Sequence, residues 1–424
     1  MGYEKTTLKN GMRVITNSMP HTQSVSTILY YGVGSRYEED RIAGISHFIE
    51  HMVFKGTKKR PTAKDISEAI EGVGGVLNAS TGRETTNYWA KVAKAHFPLA
   101  FDVLSDMLLN ANFDPNEIEK ERKVIIEELH ATLDSPPDLV NEIINEVIWG
   151  KQPVGRDIGG NDETVGGISR EDLLGYMKKF YVPSDMVVSV AGNVSHDEVV
   201  KRVEDTLGQL PSGERPTAAP AQTLNGSEPR LQIHFKETEQ ANLCLAVPAL
   251  HYSDPRRYIL SMLDSIMGSG MSSRLFQQIR EERGLAYTVE SYASQLSDTG
   301  AWIVYSGVDP ERIDDTITAI LTEMDKMRQE RVPETELTKV KEYNKGRMLL
   351  SLENTQAVAS WAGGQELLLS RILSVEEVVE KIEEVTSEQI QVMAQELFLP
   401  EKLRLAVVGP YENEDERFRS LLKF

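Results

Sequence analysis

Two histidines and a glutamate fall within the short run Ile45-Ser46-His47-Phe48-Ile49-Glu50-His51. Side chains four apart on a helix are neighbours, so His47 and His51 stack on one face and can share one divalent metal. Glu50 projects beside the pair. A carboxylate there that is not itself a ligand is placed to take a proton from a water that the metal activates. The order His-x-x-Glu-His reverses the commoner His-Glu-x-x-His arrangement. Two surface histidines, or one satisfied core histidine, would give the same spacing, so the other elements have to decide.

A catalytic zinc site needs a third protein ligand and keeps its fourth position open. The obvious donor is the helix announced by Asp114-Pro115, a cap followed by a first-turn proline, and continuing through Glu121, Glu127 and Glu128 to His130. Glu121 and Glu128 are two turns apart and share a face. Helices also carry glutamates for solubility, and spacing does not choose between Glu127 and Glu128. The stretch from Gly72 to Val92 reads as two alternating runs around a Thr81-Gly82-Arg83-Glu84 bend. It fits an ordinary hairpin with Asn78 on its wet face. It fits equally an edge strand that offers its backbone to an extended peptide.

Further elements frame these. Thr6 to Thr16 is a hairpin turning at Asn10-Gly11, Ser24 to Val33 a strand, and Gly34 to Asp40 a loop leading into the helix near Gly44. Thr62 to Val73 and Ala95 to about Ala111 are helical. Ser184 to Gly192 reads as a buried-type strand. Its surroundings, Phe180-Tyr181-Val182-Pro183 through Gly192, return as Phe398-Leu399-Pro400 through Gly409, and both prolines and both glycines are 217 positions apart. The Pro/Gly/Ser-rich segment 211–229 reads as a linker. The chain thus divides into 1–210, 211–229 and 230–424, two related halves of which only the first carries the histidine pair.

Composition bounds the rest. Hydrophobic residues at 40% and charged residues at 26% describe an ordinary globular protein, and the net charge of −19 argues against nucleic-acid binding. Cys244, the single cysteine, sits in an apolar run and reads as a small core residue in a reducing, cytoplasmic setting. There is no signal-peptide pattern or membrane-length apolar run. Gly2 and Thr6 fit a loose myristoylation pattern, for which an ordinary start is the simpler reading.

His47-Phe48-Ile49-Glu50-His51 followed by Phe54-Lys55-Gly56-Thr57, the Asn78 to Thr86 stretch, and Glu121-Arg122 through Glu128 together resemble one family. So do Ser272 to Phe276 and Arg280 through Gly284-Leu285-Ala286-Tyr287 in the second half. The family is that of pitrilysin, insulin-degrading enzyme and the mitochondrial processing peptidase, the inverzincin metallopeptidases, and the resemblance spans essentially the whole chain. It implies an α+β fold of two homologous halves, each a mainly antiparallel sheet with helices packed on one face. It implies that His47, His51 and Glu128 ligate Zn2+, with Glu127 as the fallback, that Glu50 is the general base, and that Glu121 is the supporting carboxylate. Asn78 and Ala79 would pair with substrate backbone, and Arg280 with Tyr287 would bind substrate and steady the transition state. The activity implied is that of an endopeptidase cleaving short or unfolded peptides inside a closed chamber. A homodimer would complete each site with the second half of the partner chain. The alternative within the family is a non-catalytic structural or peptide-capturing member.

Overall fold

A computed structural model describes residues 2–222, 224 and 230–424. Within these, two sheets organise two units. The first sheet contains β1 (Glu4–Thr7), β2 (Arg13–Ser18), β3 (Ser24–Tyr31), β4 (Val76–Thr81), β5 (Thr86–Ala93) and β6 (Met186–Gly192). They lie in the order β1-β2-β6-β3-β5-β4. The second contains β7 (Arg230–Phe235), β8 (Ala241–Pro248), β9 (Ala286–Gln295), β10 (Gly300–Val308) and β11 (Arg404–Gly409), in the order β7-β11-β8-β10-β9. Setting β1 aside, the two orders are the same. In each sheet the last strand enters beside the first and parallel to it, β6 beside β2 and β11 beside β7, while all other pairings are antiparallel. The 217-residue sequence echo is therefore the echo of the parallel central strand. The α+β architecture with two homologous halves holds.

The β1–β2 connection turns at Gly11, which adopts φ +90. Its loop runs from Leu8 to Met12, longer than a two-residue turn, because Asn10 uses its side chain to bind the Met12 amide. The helices of the first unit begin with α1 (Ile45–Met52), α2 (Ala63–Glu71) and α3 (Phe97–Asn110), which pack on one face of the first sheet through Phe48, Ile49, Ile66, Phe101 and Leu104. Burying each such side chain contributes about 1.5–3 kcal/mol. The opposite face is not left bare. Ile15, Ile28, Val187 and Ala191 pack against the helix Thr355–Leu369. Gly363 makes that approach possible: a Cβ there would stand 2.7 Å from the Tyr30 ring and 2.8 Å from Ser189 Cβ.

The second sheet receives the reciprocal element. After α4 (Pro115–Asp134) comes α5 (Pro136–Trp149), whose Leu139, Val140, Ile143, Ile144 and Val147 cover Cys244, Ala246, Ile303, Ala406 and Val408. Each unit thus borrows a helix from the other half of the sequence. The compact units are 1–129 with 157–219 and 348–375, and 130–156 with 220–347 and 376–424, rather than the continuous pieces 1–210 and 230–424. The physical reason is the burial of β6 along its whole length, which demands apolar cover on both sheet faces. Residues 211–219 of the expected linker are tied down within the first unit: Ser184 donates to Gly213 O at 2.6 Å and Arg215 Nε lies 2.8 Å from Asp185. Residues 223 and 225–229 of that segment lie outside the described residues.

Candidate metal centre

The histidine helix begins where the chain can bring it up against its neighbours. Gly44, its N-cap, takes φ +95, and a Cβ there would meet the Gly159 carbonyl at 2.3 Å. The buried Glu38 carboxylate accepts from the Gly44 and Ser46 amides at 2.7 and 2.8 Å. An anion at this end satisfies orphan N–H groups and suits the helix dipole. Ile45, Phe48, Ile49 and Met52 turn into the core, leaving His47, Glu50 and His51 on the other face.

On α4 the apolar stripe Ile118, Ile125 and Leu129 includes Glu121, which is buried with it. Asp114 Oδ1 accepts from the Asn116 amide at 2.8 Å, the cap expected from sequence. Two turns beyond Glu121, Glu128 is half exposed and reaches the histidines. His51 Nε2 is 3.2 Å from His47 Nε2 and 3.4 Å from Glu128 Oε2, and the third edge, His47 Nε2 to Glu128 Oε2, is 3.9 Å. Among the described residues this is the one cluster of histidine and carboxylate donors gathered closely enough to hold a metal ion.

The donor set fits zinc. Bonds of about 2.0–2.1 Å in a tetrahedron give ligand–ligand edges of about 3.3 Å, close to two of the three observed. Hydrogen bonding fixes one tautomer. Glu121 Oε2 can only accept, so His51 Nδ1 carries the proton donated to it at 3.0 Å, and Nε2 presents a lone pair. That lone pair and the Glu128 oxygen face one another, a repulsive arrangement that a cation between them relieves. Burial, reinforced by His51, pushes the pKa of His47 down to about 4, so its imidazole is neutral and ready to ligate at neutral pH. Glu127 is not part of the cluster.

Glu50 is partly buried, and desolvation raises its pKa above the ordinary carboxylate value. The hydroxyl of Thr81, on β4, donates a short hydrogen bond to Glu50 Oε2 and works against that rise. Sequence reasoning missed Thr81: a threonine on a half-exposed strand has no spacing signal. Glu121 did carry one, a glutamate at an apolar-stripe position of an amphipathic helix.

Asn78 and Ala79 lie on β4, the edge of the first sheet, opposite Trp89 and Tyr88 of β5. The Ala79 amide donates to Asn78 Oδ1 at 2.8 Å. Arg280 and Tyr287 come together in the second unit. Arg280 lies on a π-helical turn, Phe276–Glu281, its guanidinium carbon 4.8 Å from the Phe276 ring centroid and 4.6 Å from that of Tyr287. It donates to the Tyr287 carbonyl at 2.9 Å, and Tyr287 is 73% exposed. π-Turns recur at functional sites.

Residues 13–162 match the insulinase model, peptidase family M16, and residues 167–344 match the peptidase M16 inactive domain. The chain is 36% identical over 407 residues to the uncharacterized zinc protease YmxG of Bacillus subtilis, covering 96% of this chain and 98% of that one. Its fold matches a protease from Helicobacter pylori with TM-score 0.90 at 21% identity, over 96% of this chain and 100% of the other. It matches a chain of complex III2 from Candida albicans with TM-score 0.86 at 22% identity, over the whole of both.

Proposed function

Because the chain belongs to peptidase family M16, the insulinase family, we propose that it is a zinc-dependent endopeptidase acting on short or unfolded peptides. The observation that carries this reading is the convergence of His47, His51 and Glu128 with a partly buried carboxylate, Glu50, beside them. Zinc held by the three ligands would polarise a peptide carbonyl and acidify water. Glu50 takes the water's proton and returns it to the leaving amine. Its raised pKa suits that task, since a general base works best with a pKa near the working pH. Glu121 holds the His51 ring in its ligating tautomer.

Substrate backbone pairs along the open edge of β4, taking over the Ala79 amide from Asn78. Arg280 and Tyr287 hold the peptide and steady charge developing on the attacked carbonyl oxygen. A homodimer supplies that pair from the second half of the partner chain, in a reducing cytoplasmic setting consistent with the single buried cysteine. No helix among the described residues is long and apolar enough to cross a membrane.

A non-catalytic structural or peptide-capturing role is the second reading, favoured by the fold match to a chain of complex III2. Against it stands the complete donor set in the first unit. The inactive-domain match, 167–344, covers a stretch without a His-x-x-Glu-His run. Digestion of a peptide library with and without chelator, read by mass spectrometry, tests the proposal. Cleavage should vanish with chelator and return with added zinc. Cleavage indifferent to chelator, or none at all, contradicts it.

A further inference from the structure

Beside the metal ligands stands a charge to which the reaction outlined above gives no task. Lys55 follows α1, three residues beyond its last residue, Met52, and its amide donates to the Met52 carbonyl at 3.1 Å. Its Nζ lies 2.6 Å from Glu121 Oε1, with the lysine side chain 25% exposed and the glutamate 8%. The other oxygen, Glu121 Oε2, receives His51 Nδ1–H at 3.0 Å. Both oxygens of this buried carboxylate are therefore committed, one to a cation and one to a ligand imidazole.

That division has a physical consequence. A carboxylate holding the imidazole through one oxygen, with the other unengaged, can rotate, releasing the ring or turning towards the metal as a competing ligand. An ion pair on the second oxygen opposes both movements. The ammonium would also repel a bound dication, but the Glu121 charge lies against it and offsets most of its field. We propose that Lys55 is a positioning residue of the metal centre: by holding Glu121 Oε1 it fixes the carboxylate that orients His51, and so slows loss of the metal. This inference rests on the zinc reading of the site.

The test is the rate of zinc release from the loaded full-length protein to excess chromogenic chelator, with metal-free thermal unfolding measured alongside. Outer partners of metal ligands commonly contribute ten- to hundredfold in affinity, so Lys55→Met, one contact further out, should release zinc about three- to tenfold faster. Lys55→Arg should restore most of the wild-type rate. Lys59→Met is the local control, because Lys59 pairs with the exposed Asp102 instead. It should release zinc at the wild-type rate. If Lys55→Met unfolds early in its metal-free form, Lys55→Gln carries the same comparison. Wild-type release rates in the folded neutral variants, or equal acceleration in Lys59→Met, would overturn the role of Lys55 alone. A wild-type protein that retains no zinc would overturn the zinc reading and this inference together.

Discussion

Three glutamates surround one histidine pair, and each has a different environment. Glu50 is partly buried under a threonine hydroxyl, Glu121 is buried with both oxygens engaged, and Glu128 is half exposed with an oxygen turned to the imidazoles. These environments, more than residue type, suit the three to the proposed roles of base, supporting group and ligand. Thr81 gives this scale its prediction. Its hydrogen bond favours ionised Glu50, so Thr81→Ala raises the Glu50 pKa further. A base must be ionised to act, hence the acid limb of the kcat/KM profile should move to higher pH. Cleavage then falls more at pH 6 than at pH 8. An acid limb that stays in place or moves down would remove Thr81 from the account. Of these residues, the proposed ligands His47, His51 and Glu128 and the proposed base Glu50 were named from motif spacing and resemblance. Thr81 was not, because contact between a strand and a helix distant in sequence leaves no periodic mark.

Elements hold the residues to these distances, and α1 is the most constrained of them. Its first turn depends on Gly44 in the left-handed region and on Glu38 reaching back to two amides. Gly44→Ala adds a left-handed penalty of about 1–2 kcal/mol and a collision with the Gly159 carbonyl. Stability should drop by more than about 2 kcal/mol in urea unfolding, with zinc content falling too. A variant as stable as wild type would show that the close approach at Gly159 is dispensable. The helical periods of α1, α3 and α4 and the Asp114-Pro115 start were readable from sequence. The exchange of α5 for the helix Thr355–Leu369 was not. Periodicity states that a helix has an apolar face, but not which sheet covers it. The largely apolar run of β6, interrupted by Ser189, was the available hint, since a strand buried on both faces needs a second layer.

At the scale of the whole molecule, one plan is used twice and only one copy carries the histidines. The shared strand order and the reciprocal helices point to duplication, and the missing second motif points to division of labour. If the division is completed between chains, two inactive variants should rescue each other. Glu50→Gln and Arg280→Ala, unfolded, mixed and refolded together, would form dimers of which half are mixed, each with one intact site. About a quarter of wild-type activity should return. No recovery, although mixed dimers are seen by native mass spectrometry, would place both constellations' work within one chain. The most direct measurement of the central claim pairs metal content with cleavage in Glu50→Gln. The side chain is not a ligand, so the variant should keep about one zinc per chain while peptide cleavage drops about 100- to 10,000-fold. A wild-type protein without stoichiometric zinc, or a Glu50→Gln variant that cleaves as fast as wild type, would contradict it.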